Sequence, residues 1–194
     1  MKAIHMIIVG LIALALAGCG AQQSGSAAAH GDDPVAASGT AHGTSHGGDA
    51  PYDAQFIDGM TVHHQGAVAM AEQALQESRR PEIKQLAQNI IATQKLEIEQ
   101  MATWRKQWYP DVAATEGTGG HMGAMELSSD TSIPFDQRFI TAMIDHHNGA
   151  IAMAKEAQTK AEHGEIKQLA QNIIAAQEAE VKQLQEWQTA WFAQ

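Results

Sequence analysis

The sequence predicts an all-α protein, a four-helix bundle made from two copies of one helical hairpin. Three observations carry this. Residues 53–71, DAQFIDGMTVHHQGAVAMA, return as residues 136–154, DQRFITAMIDHHNGAIAMA, at an offset of 83. EIKQLAQNIIA stands at 82–92 and again, unchanged, at 165–175. Trp104 and Trp108 keep the same offset to Trp187 and Trp191, so the repeat runs ungapped through 53–108 and 136–191. A repeat of this kind is a duplicated supersecondary unit. Two helices of ~26 residues, each about 40 Å long, bury the apolar stripes of one hairpin only against a second.

Before the first repeat the chain has a different character. Residues 1–18 open with Lys2, continue as an apolar run and end Leu16-Ala17-Gly18-Cys19. The run is too short for a membrane span and reads as a signal peptide. Its ending resembles the bacterial lipoprotein cleavage box, which implies a lipid on Cys19 and a membrane anchor outside the cytoplasm. Cys19 is the only cysteine, so no disulfide forms within one chain and the fold rests on its helices, with no metal needed for folding. Residues 19–52 are rich in Gly, Ala, Ser and Thr, with His30, His42 and His46, and form a flexible tether. The formal charge of −10 argues against nucleic acid as a partner.

Residues 53–194 are the bundle. The first helix starts near Asp53, read as an N-cap, and runs to about 78. Arg79-Arg80-Pro81 makes the turn, with Pro81 suited to a first helical position. The second helix runs over 81–108 and stops at Tyr109-Pro110. Residues 109–134 form a long crossover loop carrying His121, Met122 and Met125. The third helix spans 136–161, His163-Gly164 breaks it, and the fourth spans 165–191.

At about 100° per residue, Phe56, Met60, His63, His64, Ala67 and Met70 share one face, which their apolar members mark as buried. The matching set is Phe139, Met143, His146, His147, Ala150 and Met153. Adjacent histidines diverge, so the two members of each pair are expected to face different neighbours, one the hairpin partner and one the other repeat. On the second helix the seam Ile83, Ala87, Ile90, Gln94, Glu97, Met101, Trp104, Trp108 steps by four and three like a core stripe, yet Gln94 and Glu97 interrupt it. Gln177 and Glu180 interrupt the fourth helix in the same places. A buried carboxylate needs a partner. Reflection about the turn near residue 80 sets Glu97 level with His63, so Glu97 and Glu180 are expected to take a histidine ring N–H, and with Gln94 and Gln177 to orient metal-binding imidazoles. Met60, Met70, Met143 and Met153 then supply thioether sulfur beside the four histidines, a donor set for a soft monovalent ion. Met101 adds a further sulfur that Leu184 cannot supply, so the two halves are not equivalent.

These residues resemble the bacterial family called domain of unknown function 305. The pattern is Asp-x-x-Phe-Ile-x-x-Met-x-x-His-His-x-x-Ala, then Met-Ala, then a Glu-Ile…Leu-Ala-x-x-Ile helix, a Gln-x-x-Glu step and a closing Trp, and both halves carry it. The resemblance implies a ferritin-like bundle, exported, binding copper or silver through Met60, His63, His64, Met70, Met143, His146, His147 and Met153.

The function expected is therefore not an enzyme but a lipid-anchored Cu(I) or Ag(I) chaperone or buffer. Its partners are the metal ion, the membrane through lipidated Cys19, and a metal donor or acceptor that the sequence leaves open. A structural helical lipoprotein is the bland alternative. Asp145-His146-His147 also resembles a metal-hydrolase triplet, but the first repeat has Val62 in place of Asp145. A di-iron site requires Glu-x-x-His, which the chain lacks.

Overall fold

The computed structural model describes residues 50–115 and 127–192. The signal peptide, Cys19, the tether histidines and His121, Met122 and Met125 lie outside the described residues. Four helices follow in order: α1 Tyr52–Glu77, α2 Pro81–Trp108, α3 Phe135–Lys160 and α4 Gly164–Phe192. No described residue is in a strand. No described helix is long and apolar enough to cross a membrane.

The helix ends follow local chemistry with two departures from expectation. Pro51 and Pro134 precede α1 and α3, and neither end has a side-chain cap. Asp53 thus lies inside the first turn of α1 and is not its N-cap; its carboxylate is used elsewhere, as described below. Gly164 opens α4 and does not break α3. The turn between α1 and α2 is as read: Pro81 is at the first helical position, where a missing N–H costs nothing. At the end of α2, Arg105 pairs with Asp58 at 2.8 Å and donates to the carbonyls of Tyr109, Val112 and Ala113. It thereby satisfies carbonyls at and beyond the helix end. The other Asp58 oxygen accepts from the backbone and hydroxyl of Thr115, so the start of the crossover loop is strapped to α1.

Packing joins α1 to α2, α3 to α4, and α1 to α3. α1 and α3 are therefore the central pair and α2 and α4 flank them. Small residues, Ala67, Ala71 and Ala74 on α1 and Ala150, Ala154 and Ala157 on α3, are buried along the two helices. The core divides into two apolar lobes. One joins Phe56, Ile57, Met60 and Met101 to Ala150, Ala154, Ile166 and Ile173. The other joins Phe139, Ile140, Met143 and Leu184 to Ala67, Met70, Ile83 and Ile90. Each lobe takes the start of one hairpin and the middle of the other, so α1 and α3 run antiparallel about a pseudo-two-fold axis.

The two ends of the bundle are fastened by equivalent aspartates that engage the opposite turn in different ways. Asp53, 1 % exposed, accepts from the backbone N–H of Glu162 at 3.0 Å and of His163 at 2.9 Å, and contacts the His163 ring at 2.7 Å. Trp108 stacks on that ring at 3.9 Å. At the other end Asp136 pairs with Arg80 at 3.3 Å, and Arg80 lies 4.1 Å from the Trp191 ring. His163 and Arg80 are repeat equivalents, as are Trp108 and Trp191. Each aspartate therefore leaves its own helix end and holds the turn of the opposite hairpin.

Candidate metal centre

Between the two lobes lies a polar waist. Each helix crosses it once: α1 with His63 and His64, α2 with Gln94 and Glu97, α3 with His146 and His147, α4 with Gln177 and Glu180. His63 and His146 are each 3 % exposed, and His64 and His147 are fully buried. Both Gln94 and Gln177 are also buried.

The two histidines of each pair face different neighbours, as their angular separation requires. His64 Nε2 lies 2.7 Å from Glu97 Oε2, and His147 Nε2 lies 2.7 Å from Glu180 Oε2. The seam therefore identified the right carboxylates, but reflection about residue 80 named His63 as the partner; the true axis lies half a residue further on, and His64 takes the contact. His63 turns instead to the other repeat. Its ring centroid lies 3.8 Å from that of His146, with the planes tilted by 53°. Gly149 makes room for this: a Cβ there would lie 3.0 Å from His63 Nε2. That is tighter than ordinary contact, so α3 carries glycine where the ring crosses it, despite a helix cost of about 1 kcal/mol.

A carboxylate against Nε2 fixes the tautomer of a neutral imidazole: Nε2–H donates and the lone pair is left on Nδ1. Nδ1 of His64 and of His147 is buried and without a hydrogen-bond partner among the described residues, and so is Nδ1 of His63 and of His146. An unpaired buried polar atom costs about 1–3 kcal/mol. Four such atoms in one polar layer, each a good ligand for a transition metal, are left unsatisfied among the described residues. Donors of this kind fit a metal ion.

Sulfur flanks the nitrogen layer on both sides. Met60 and Met101, both fully buried, lie in one lobe with the partly buried Met153 against them. Met143 and Met70 lie in the other, where Leu184 replaces the third sulfur. The two lobes thus offer unequal thioether sets. Met153 reaches across to α1, its Cε 3.3 Å from where a Cβ of Gly59 would stand. Among the described residues no three His, Cys, Asp or Glu side chains converge as a cage. A metal held here could draw on one or two imidazoles only together with thioethers. Asp145 is exposed while His146 and His147 are buried, so the triplet of the hydrolase pattern does not assemble on one face.

Burial also sets the charge of the waist. Desolvation lowers His63 from 6.5 to about 4, with the nearby His64 and His147 adding to the fall. His146 drops to about 3, first through burial and then through His63, His147 and His64. Both are neutral near pH 7, as metal ligands must be. The linkage has a definite sign. The unfolded chain takes up protons near 6.5 and the folded metal-free bundle does not, so stability falls as pH drops below about 6.5 and the fall levels off only near 3–4. The expected loss at pH 5.5 is roughly 1 kcal/mol for each ring. Urea unfolding of metal-free protein at pH 7.5, 6.5 and 5.5 measures it. A midpoint independent of pH over this range, or one equally steep after His63→Gln with His146→Gln, contradicts the assignment.

Sequence reasoning missed two features of the site. The sequence placed one histidine of each pair toward the other repeat, but not that the two facing rings, His63 and His146, meet each other. The duplicated Asp53 and Asp136 were visible but were read as helix starts. Their signal was the pairing with Arg80 and His163, the residues just before each second helix.

Comparisons with known proteins identify the family and agree with the fold. The profile of the domain of unknown function DUF305 matches residues 53–188. CopM, solved in an Ag-bound form, is 42 % identical, with a TM-score of 0.64 over 73 % of this chain and 98 % of CopM. CopM in its Cu(I)-bound form is 39 % identical, with a TM-score of 0.63 over 74 % of this chain and all of CopM; a Cu(II)-bound form gives 42 % and 0.65, with the same coverage. A putative secreted DUF305 protein from Streptomyces coelicolor is 27 % identical, with a TM-score of 0.56 over 69 % of this chain and 90 % of that protein. An uncharacterized protein, L153, of Acanthamoeba polyphaga mimivirus is 41 % identical over 49 residues, 25 % of this chain and about a third (32 %) of the viral protein. With its four helices, its duplicated His-His motif and a profile match across both repeats, the chain belongs to the DUF305 family.

Proposed function

We propose that the protein binds Cu(I) or Ag(I) as cargo, acting as an exported, lipid-anchored chaperone or buffer in copper tolerance and not as an enzyme. The observation that carries this reading is the set of four buried, unpartnered Nδ1 atoms between thioether-bearing lobes. Imidazole supplies affinity for many metals. Thioether sulfur is soft and neutral, so it favours a monovalent d10 ion over Zn(II). The CopM structures with silver and both copper states support the same choice of metal. The Leu16-Ala17-Gly18-Cys19 ending supports export and anchoring.

The test is a competition titration under reducing conditions. The chain carries His30→Ala, His42→Ala and His46→Ala, so the tether cannot compete for metal. Cu(I) and Ag(I) are expected to bind more tightly than Zn(II). Equal affinity for Cu(I) and Zn(II) refutes the soft-metal reading, and absence of binding refutes a metal function altogether. In cells, Cys19→Ser is expected to move the protein from the membrane fraction to the soluble one; an unchanged membrane fraction refutes the anchor alone.

A further inference from the structure

On the side of the waist away from the histidine pair His63 and His146, α2 and α4 stand apart. They are not among the helix pairs that pack closely. A small cavity of ≈ 10 Å³ lies between them, lined by Thr93, Gln94, Glu97, Gln177 and Glu180 together with apolar neighbours. That is about the room of one water or one bare cation. Each polar side chain on its wall carries an oxygen acceptor, beside the amide NH2 groups of the two glutamines and the Thr93 hydroxyl. Gln94 and Gln177 are each 3 % exposed, and the Oε1 atom of each is buried with no hydrogen-bond partner among the described residues. Glu97 and Glu180 give one oxygen, Oε2, to His64 and His147, which leaves Oε1 for a second partner. Two amide oxygens and two carboxylates crowd acceptors into one narrow cleft, and neither amide oxygen receives a hydrogen bond among the described residues.

We propose that this cleft is a second cation site, separate from the histidine–methionine centre, and that it takes a hard divalent ion such as calcium. The donors are two amide oxygens, two carboxylate oxygens and the Thr93 hydroxyl, with water to complete the shell. Oxygen donors in that number suit Ca2+, and neither imidazole nor thioether competes for it. Two carboxylates match its charge. Glu97 and Glu180 side chains are 14 % and 22 % exposed, so the ion enters from solvent between α2 and α4. It would tie hairpin to hairpin where the apo fold has its weakest packing. None of its oxygens is a soft-metal ligand, and Glu97 and Glu180, which also hold His64 and His147 through Oε2, are the point where it adjoins the proposed copper centre.

The experiment is thermal unfolding of the full, copper-free chain in 10 mM CaCl2 against NaCl of equal ionic strength. An affinity in the range of about 0.1–1 mM, usual for extracellular calcium modules, raises Tm by roughly 5 °C. Gln94→Leu with Gln177→Leu is expected to abolish the calcium increment. Thr93→Ala places on α2 the residue that α4 already carries as Ala176, so it folds; it is expected to weaken calcium binding severalfold and leave Cu(I) binding unchanged. No calcium increment in the unsubstituted chain overturns the proposal and leaves one bridging water as the occupant. An increment that survives in the leucine pair, or in full in Thr93→Ala should the leucine pair not fold, places calcium elsewhere and overturns it equally. Failure of copper to bind leaves this result unaffected, because no copper is present.

Discussion

His64→Ala together with His147→Ala is expected to lower Cu(I) affinity by more than about a hundredfold, the upper range of what even a partner of a ligand contributes. These are the two imidazoles whose tautomer the protein fixes. Glu97 and Glu180 hold Nε2 at 2.7 Å, so each ring is fixed in orientation before any metal arrives and Nδ1 is the nitrogen left for ligation. Both rings are fully buried, so removal also leaves space and strands the carboxylates, which are partly exposed and can turn to water. Circular dichroism should therefore still report a helical bundle. The graded control is Glu97→Gln with Glu180→Gln. The amide oxygen still accepts from Nε2–H, but the charge that raised the basicity of the ring is gone, so the loss is expected to be smaller, about tenfold to a hundredfold. Zn(II) should weaken in parallel with Cu(I) in the alanine pair, because imidazole does not discriminate between them. A folded alanine pair with unchanged Cu(I) affinity would show that the waist is a structural polar layer.

The fold was legible because duplication left its mark at every level. A constant offset of 83 placed four helices, and the seam broken by Gln94 and Glu97 showed where a polar layer must cross the core. What lay along one helix or across one hairpin could be read, to within half a residue in the pairing of Glu97 with His64. What lay between repeats could be read only in part: one histidine of each pair was expected to face the other repeat, but not which one, nor that the two rings meet. The tilted contact of His63 with His146 depends on the antiparallel set of α1 against α3, and periodicity on a single helix carries no information about that angle. The end clamps were hidden for a different reason. An aspartate ahead of an apolar helix looks like a cap, and only the three-dimensional position of the opposite turn shows that Asp53 reaches Glu162 and His163. The oxygen-lined cleft was hidden because glutamine in a seam reads as an orienting group for the histidines; in the structure Oε1 of Gln94 and of Gln177 finds no partner among the described residues.

Met60→Leu together with Met143→Leu is expected to narrow the preference for Cu(I) over Zn(II) by at least about tenfold, or 1.4 kcal/mol. Alanine at these positions would mix two effects, since each methionine is fully buried and a buried Met→Ala costs about 2–5 kcal/mol through the cavity alone. Leucine removes the sulfur and keeps the volume, at under about 1.5 kcal/mol. The chain supplies its own precedent: Leu184 stands fully buried at the position that Met101 fills in the other repeat. The substitution therefore tests donor chemistry with packing nearly held constant. Met60 lies three residues before His63 and four before His64, the spacings that put helix side chains side by side, and Met143 stands likewise to His146 and His147. Removing both sulfurs leaves the imidazoles in place, so Zn(II) affinity should hardly move while Cu(I) affinity falls. The lobes should also respond unequally. The one holding Met60 keeps Met101 and Met153, whereas the one holding Met143 keeps only Met70, so Met143→Leu alone should cost more Cu(I) affinity than Met60→Leu alone. If the double variant keeps the ratio of Cu(I) to Zn(II), the methionines are core packing and the selectivity must come from the nitrogen layer.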